Sequence, residues 1–157
     1  MKTTLPSIEK IGLITGIVTS LALAGYFLLM KMLGFEEILE LRFFNFLILA
    51  GAICYGISKL KRELHEDEFY LKGWAQGIFI SVIATILFGT FMAFYISYYD
   101  ASLLDYIQHK MHMQDANGLT VFVAIFMEGM ASAFVITLCA MQYFKSPGDV
   151  KSKDMVK

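Results

Sequence analysis

Cysteine occurs only twice in these 157 residues, at Cys54 and Cys139, and no CxxC pair is present. A disulfide framework, a haem attachment and an iron–sulfur centre therefore have nothing to start from, and the two thiols read as small apolar packing residues. Charge of one sign is lacking too. With 13 Lys and Arg against 14 Asp and Glu, the net charge is -1, which supplies no basic field for a nucleic acid. No P-loop, GxGxxG, HExxH or GxSxG occurs. An enzymatic reading has no motif to begin from, and the sequence reads as a non-enzyme with no cofactor. A small-residue cleavage pattern is missing after the first apolar run, so that run is expected to remain in the mature protein.

What the sequence does have is apolar surface. Hydrophobic residues make up 57% and aromatics 15%, with a mean hydropathy of +0.62, more than a water-soluble domain can cover. Four runs, at about 11–33, 43–59, 73–98 and 119–144, approach or exceed the roughly 20 helical residues that cross a hydrocarbon core about 30 Å thick. Unbroken runs of this length read as helices rather than barrel strands. The expectation is an all-α polytopic membrane protein: one four-transmembrane-helix bundle over residues 1–144, followed by a polar tail at 145–157. That tail, KSPGDVKSKDMVK, is broken by Pro147 and Gly148 and is expected to be disordered.

Orientation follows from the basic residues, which are retained in the cytoplasm. With four spans, Lys2, Lys10, Lys59, Lys61, Arg62, Lys72, Lys145, Lys151, Lys153 and Lys157 share one side, and only Lys31, Arg42 and Lys110 lie on the other. Ten against three places both termini in the cytoplasm. In KLKRELHEDEFYLKGW, the i, i+4 pairs Lys59 with Glu63 and Arg62 with Glu66 suggest that helix two continues beyond the membrane before the chain turns back.

Small residues mark the helix faces. The third run places Gly73, Gly77, Ser81, Thr85, Gly89, Ala93 and Ser97 at every fourth position, and the first does the same with Gly12, Gly16, Ser20 and Ala24. Such a face lets another helix approach closely, which matters in lipid because little hydrophobic drive is left between helices. Ala52 and Gly56 in run two and Gly129 and Ala133 in run four add to the set. Two uses stay open: packing within the bundle, or reception of a helix from a partner subunit.

One carboxylate stands out. Glu128 in VFVAIFMEGMASAF lies about ten residues, or roughly 15 Å, from the outer end of run four, near mid-membrane. An ionised carboxylate there costs at least about 2.5–3.5 kcal/mol, so it has to be paired, hydrogen-bonded, hydrated or protonated. Its small neighbours Ala124, Ala131 and Ser132 suggest that it points into the bundle, toward Ser20, Thr85 or Asn45. A hydrogen bond inside the bundle, a proton or substrate path, and contact with a partner subunit are the three readings of the residue.

The segment SYYDASLLDYIQHKMHMQDAN between runs three and four carries Leu103, Leu104, Ile107 and Met111 at helical spacing. It reads as an amphipathic helix on the outer face, at about residues 100–114, anchored by Tyr98, Tyr99 and Tyr106. His109 and His112 lie three residues apart on it, beside Asp115. Two histidines seldom hold a metal alone, so no metal site is assigned.

KIGLITGIV in run one, EDEFYLKGWAQGIFISVIATILFGTF, YYDASLLDYIQHKM and IFMEGMASAFVITLCAMQYFK together resemble domain of unknown function 4199, a family of bacterial four-helix membrane proteins. The resemblance covers most of the chain and implies a bacterial inner-membrane location, but no site residues to carry over. The function expected is that of a small accessory or assembly subunit acting by helix packing, with lipid and partner membrane proteins, or further copies of itself, as its contacts. The rival is an oligomeric proton-linked carrier or channel using Glu128.

Overall fold

A computed structural model describes residues 5–34, 42–62, 66–99 and 117–144. Within these, the chain forms four helices: α1 (Leu5–Met32), α2 (Arg42–Lys61), α3 (Glu66–Tyr98) and α4 (Gly118–Phe144). Each is long and apolar enough to cross a membrane. Their outward surfaces carry large apolar side chains such as Leu13, Val18, Leu21, Phe43, Phe94, Leu119 and Val135. Exposed apolar area on this scale suits contact with a lipid bilayer and would be an aggregation hazard in water. The histidine-bearing segment at 100–114 and the tail at 145–157 lie outside the described residues.

The helix ends show why each run starts and stops where it does. Helix α1 closes at Gly34, which takes a left-handed φ of 73° and donates its N–H to the Lys31 carbonyl at 3.0 Å, a conformation that favours glycine. Asn117 caps α4: its Oδ1 accepts from the Thr120 N–H at 3.0 Å, while Thr120 Oγ1 accepts from the Asn117 N–H at 3.4 Å. Helix α3 begins at Glu66, seven residues before the expected start. The stretch EDEFYLK therefore opens α3 rather than bridging to it, and acidic residues suit a helix N-terminus. Glu66 thus belongs to α3, while α2 ends at Lys61.

Helix α3 is the centre of the bundle. It packs most extensively on α4, then on α1, and also on α2, whereas the described backbones of α1 and α4 make no close approach to each other. The contacts fix the directions. Gly12 faces Gln76 and Phe79 while Gly16 faces Ile80 and Ile83, so α1 and α3 run parallel; Gly73 faces Met141 while Gly77 faces Thr137, so α3 and α4 run antiparallel. Leu49, Ile53, Ile57, Phe69, Ala84, Ala133, Ile136, Ala140 and Met141 form one apolar cluster among α2, α3 and α4. A second joins Leu23 of α1 and Val121 of α4 to Phe88, Met92 and Ile96 of α3.

A polar clasp ties three helices at the end of the bundle that holds Lys61. The Lys61 ammonium donates to the Phe144 carbonyl at 2.9 Å and lies 5.7 Å from the Phe69 ring centre and 6.0 Å from that of Phe144. A cation there satisfies a carbonyl at the negative end of α4. At the opposite end Lys31 sits over the Tyr95 ring at 4.8 Å, linking α1 to α3. Lys61→Met is expected to lower the stability of the detergent-solubilised protein by about 1–2 kcal/mol, read as a lower midpoint in thermal or steric-trap unfolding.

Candidate functional site

The small-residue ridge of α3 is filled from within the chain. Met141 lies over Gly73, Thr137 over Gly77, Gly129 against Thr85, Phe122 over Gly89, and Gly118 against Ala93 and Ser97. Each step of four along α3 from Gly73 to Gly77 meets a step of four back along α4, and this register sets Ser81 opposite Ala133, both fully buried at 0% exposure. A side chain at Gly77 would put its Cβ 2.5 Å from Thr137 Oγ1, closer than the two backbones allow. Gly12 and Gly16 meet α3, and Gly56 meets Ile80. None of these ridges is free to receive a second protein.

The hydroxyls along the seam mostly satisfy themselves. Ser81 donates to the Gly77 carbonyl at 2.9 Å and Thr85 to the Ser81 carbonyl at 2.7 Å, one turn back in each case; in α1, Thr19 does the same to Thr15 at 2.6 Å. Such back-bonding is how a helix carries hydroxyls where no water reaches. Ser20 is buried in α1. Thr137 Oγ1 and Asn45 Oδ1 are buried without a hydrogen-bond partner among the described residues, Asn45 lying about one turn inside α2 and Thr137 pressed against Gly77. Replacing Gly77 by Leu is expected to cost about 3 kcal/mol or more through overpacking. Gly51, which is exposed with nothing near its Cβ position, should accept Leu with little change in the same unfolding assay.

Glu128 departs from the expectation. Its depth is fixed by its neighbour: Gly129 packs on Thr85, which lies near the middle of α3's candidate span Phe69–Tyr98. The side chain, however, is exposed and turned away from Thr85, Ser20 and Asn45, and no described residue bonds to its carboxylate. The physical reason is angular. Adjacent residues on a helix differ by about 100°, so once Gly129 is the residue that lets α4 close onto Thr85, residue 128 must turn toward the flank. The small residues at positions 124, 131 and 132, taken from the sequence as lining an inward face, instead flank Glu128 on an outward or rim position: Ala124 and Ala131 are exposed and Ser132 is half-buried.

Helices α4 and α1 are the least enclosed, with 17% and 22% of their most apolar stretches buried against 28% for α2 and 44% for α3, so much of the surface of α4 lies open. Along that surface lie Ala124, Met127, Glu128, Ala131, Val135, Cys139 and Gln142. Cys139 therefore does not pack in the core, whereas Cys54 is half-buried; both are free thiols. A shallow groove of about 620 Å³ lies between α3 and α4, lined by residues from Thr90 to Tyr98 and from Gly118 to Phe122, and ends more than a turn short of Glu128. No cluster of three metal-ligating side chains occurs among the described residues, and His109 and His112 lie outside them.

Compared with protein-family models, curated proteins and solved structures, this chain matches none. The geometry of the site therefore carries the functional argument. An unpaired outward carboxylate makes the isolated chain worse, not better, at residing in lipid. Replacing Glu128 with Leu is expected to favour membrane insertion of α4 by about 3 kcal/mol and to leave bundle stability unchanged or raised, measured by glycosylation-site insertion assays and by unfolding in detergent.

Proposed function

We propose that this protein is a non-enzymatic integral membrane subunit, an accessory or assembly factor that works by helix packing, and that it docks through the outward face of α4 centred on Glu128. The observation that carries the reading is the position of that carboxylate: mid-span, exposed, and without a bond from any described residue. A group that costs free energy in lipid and supports nothing within the fold is relieved when a partner covers it. The small-residue ridges are occupied by the chain's own helices, which is the first of the two uses the sequence left open, and the α4 surface is the face that remains for a partner.

Membership in the family of bacterial four-helix proteins, a bacterial inner-membrane location and cytoplasmic termini go with this proposal. The excess of Lys and Arg on the side of the termini supports the orientation. The rival carrier is less well supported. The buried polar side chains among the described residues are five hydroxyls, Thr19, Ser20, Ser81, Thr85 and Thr137, and the amide Gln76. None of them titrates, so the described interior holds no second ionisable group to exchange a proton with Glu128.

Mild detergent extraction of the full chain is expected to give a particle heavier than one copy. Photo-crosslinkers at Met127 or Val135 should capture a single partner far more often than those at Leu21 of α1 or Leu47 of α2. A monomeric particle, with only lipid adducts at all four positions, would sink the reading.

A further inference from the structure

The docking surface carries a charge that constrains what can cover it. The seven basic residues among those described, Lys10, Lys31, Arg42, Lys59, Lys61, Arg62 and Lys72, lie within about two turns of a helix end. Glu128 shares its depth with Thr85. Lys72 is thirteen residues from Thr85 along α3, or about 20 Å, and Lys31 sits over Tyr95, ten residues beyond Thr85, or about 15 Å. Copies of one chain in one membrane share the same orientation and the same depths. Among the described residues a second copy therefore has no cation at the level of Glu128, and a two-fold contact through α4 would set one carboxylate against another, where like charges oppose ionisation.

The surroundings of Glu128 favour a close-packed helix as the occupant. Ala124, Ala131 and Ser132, at i−4, i+3 and i+4, leave low relief around the carboxylate, so that a partner backbone can come near enough for a side chain to reach it. We propose that the occupant of this face is a transmembrane helix of a different protein, bearing a lysine or arginine near its own midpoint that pairs with Glu128. The inference rests on the docking reading above and names the chemistry of the partner. Each helix alone carries an uncompensated charge in lipid; together they form an ion pair, which is how intramembrane acids and bases are tolerated. The same pairing rejects helices without a basic residue at that depth, so it supplies selectivity as well as attachment.

The test uses the full-length protein, donor-labelled at its N-terminus, in phosphatidylcholine vesicles with acceptor-labelled synthetic helices of about 20 leucines and alanines. One helix carries a central lysine, one a central leucine and one a central glutamate. The lysine helix is expected to associate more tightly than the leucine helix by roughly tenfold, the scale of one strong interhelical polar contact in lipid, and the glutamate helix no better than leucine. Glu128→Gln should bring the lysine helix down to the leucine level, and Ala131→Leu should weaken it by crowding the approach. Equal association of the lysine and leucine helices, or an advantage for lysine that survives Glu128→Gln, overturns the proposal. If the leucine helix or a second labelled copy binds as well as the lysine helix, and Ala131→Leu disrupts that binding, the face docks but its partner is not cationic. If no helix and no second copy associates, docking through α4 fails with it.

Discussion

The seam between α3 and α4 is the contact on which the bundle depends. In water, burial of apolar side chains would hold two such helices together; in lipid that drive is nearly absent, and dispersion between closely approaching backbones has to replace it. The sequence meets this constraint by setting a small residue on α3 wherever α4 has a larger one, Gly73 under Met141 and Gly77 under Thr137, and reversing the sizes at Thr85 and Gly129. The reversal matters for the rest of the molecule. By making Gly129 the point of closest approach, it sets the rotation of α4 and turns Glu128 away from the interior.

Around that seam the other helices add breadth rather than depth. Helix α1 lies against α3 through Gly12 and Gly16, and α2 fills the remaining side, with Ile53, Ile57 and Leu60 fully buried. The Trp74 and Phe134 rings meet edge to face at 6.1 Å on the rim of the seam, adding aromatic contact where the small residues leave off. The described backbones of α1 and α4 make no close approach, and they meet only through the shared apolar cluster that holds Leu23 and Val121, so much of the outer surface of α4 stays open.

Much of the architecture was legible in the sequence because it depends on properties a sequence displays directly: the length of an apolar run and the four-residue spacing of small side chains. Helix ends were less so. The start of α3 at Glu66 was hidden because EDEFYLK is too polar to belong to an apolar run, although its acidic residues suit the first turn of a helix. The Asn117 cap is a short-range pattern, NGLT, that a search for long runs passes over. The direction of Glu128 was not legible at all. Its small neighbours can line an inward groove or an outward face, and only the register of Gly129 against Thr85 distinguishes them.

That register also has a consequence in time. Helix α3 is synthesised before α4, and the 46 residues from Tyr99 to Phe144 take roughly 2–9 seconds at bacterial to eukaryotic elongation rates. During that interval the whole glycine and serine ridge of α3 stands open to the bilayer, with the one helix shaped to fill it still unmade. The chain is thus more adhesive before α4 is made, and the helix that bears Glu128 seals the ridge only after that interval.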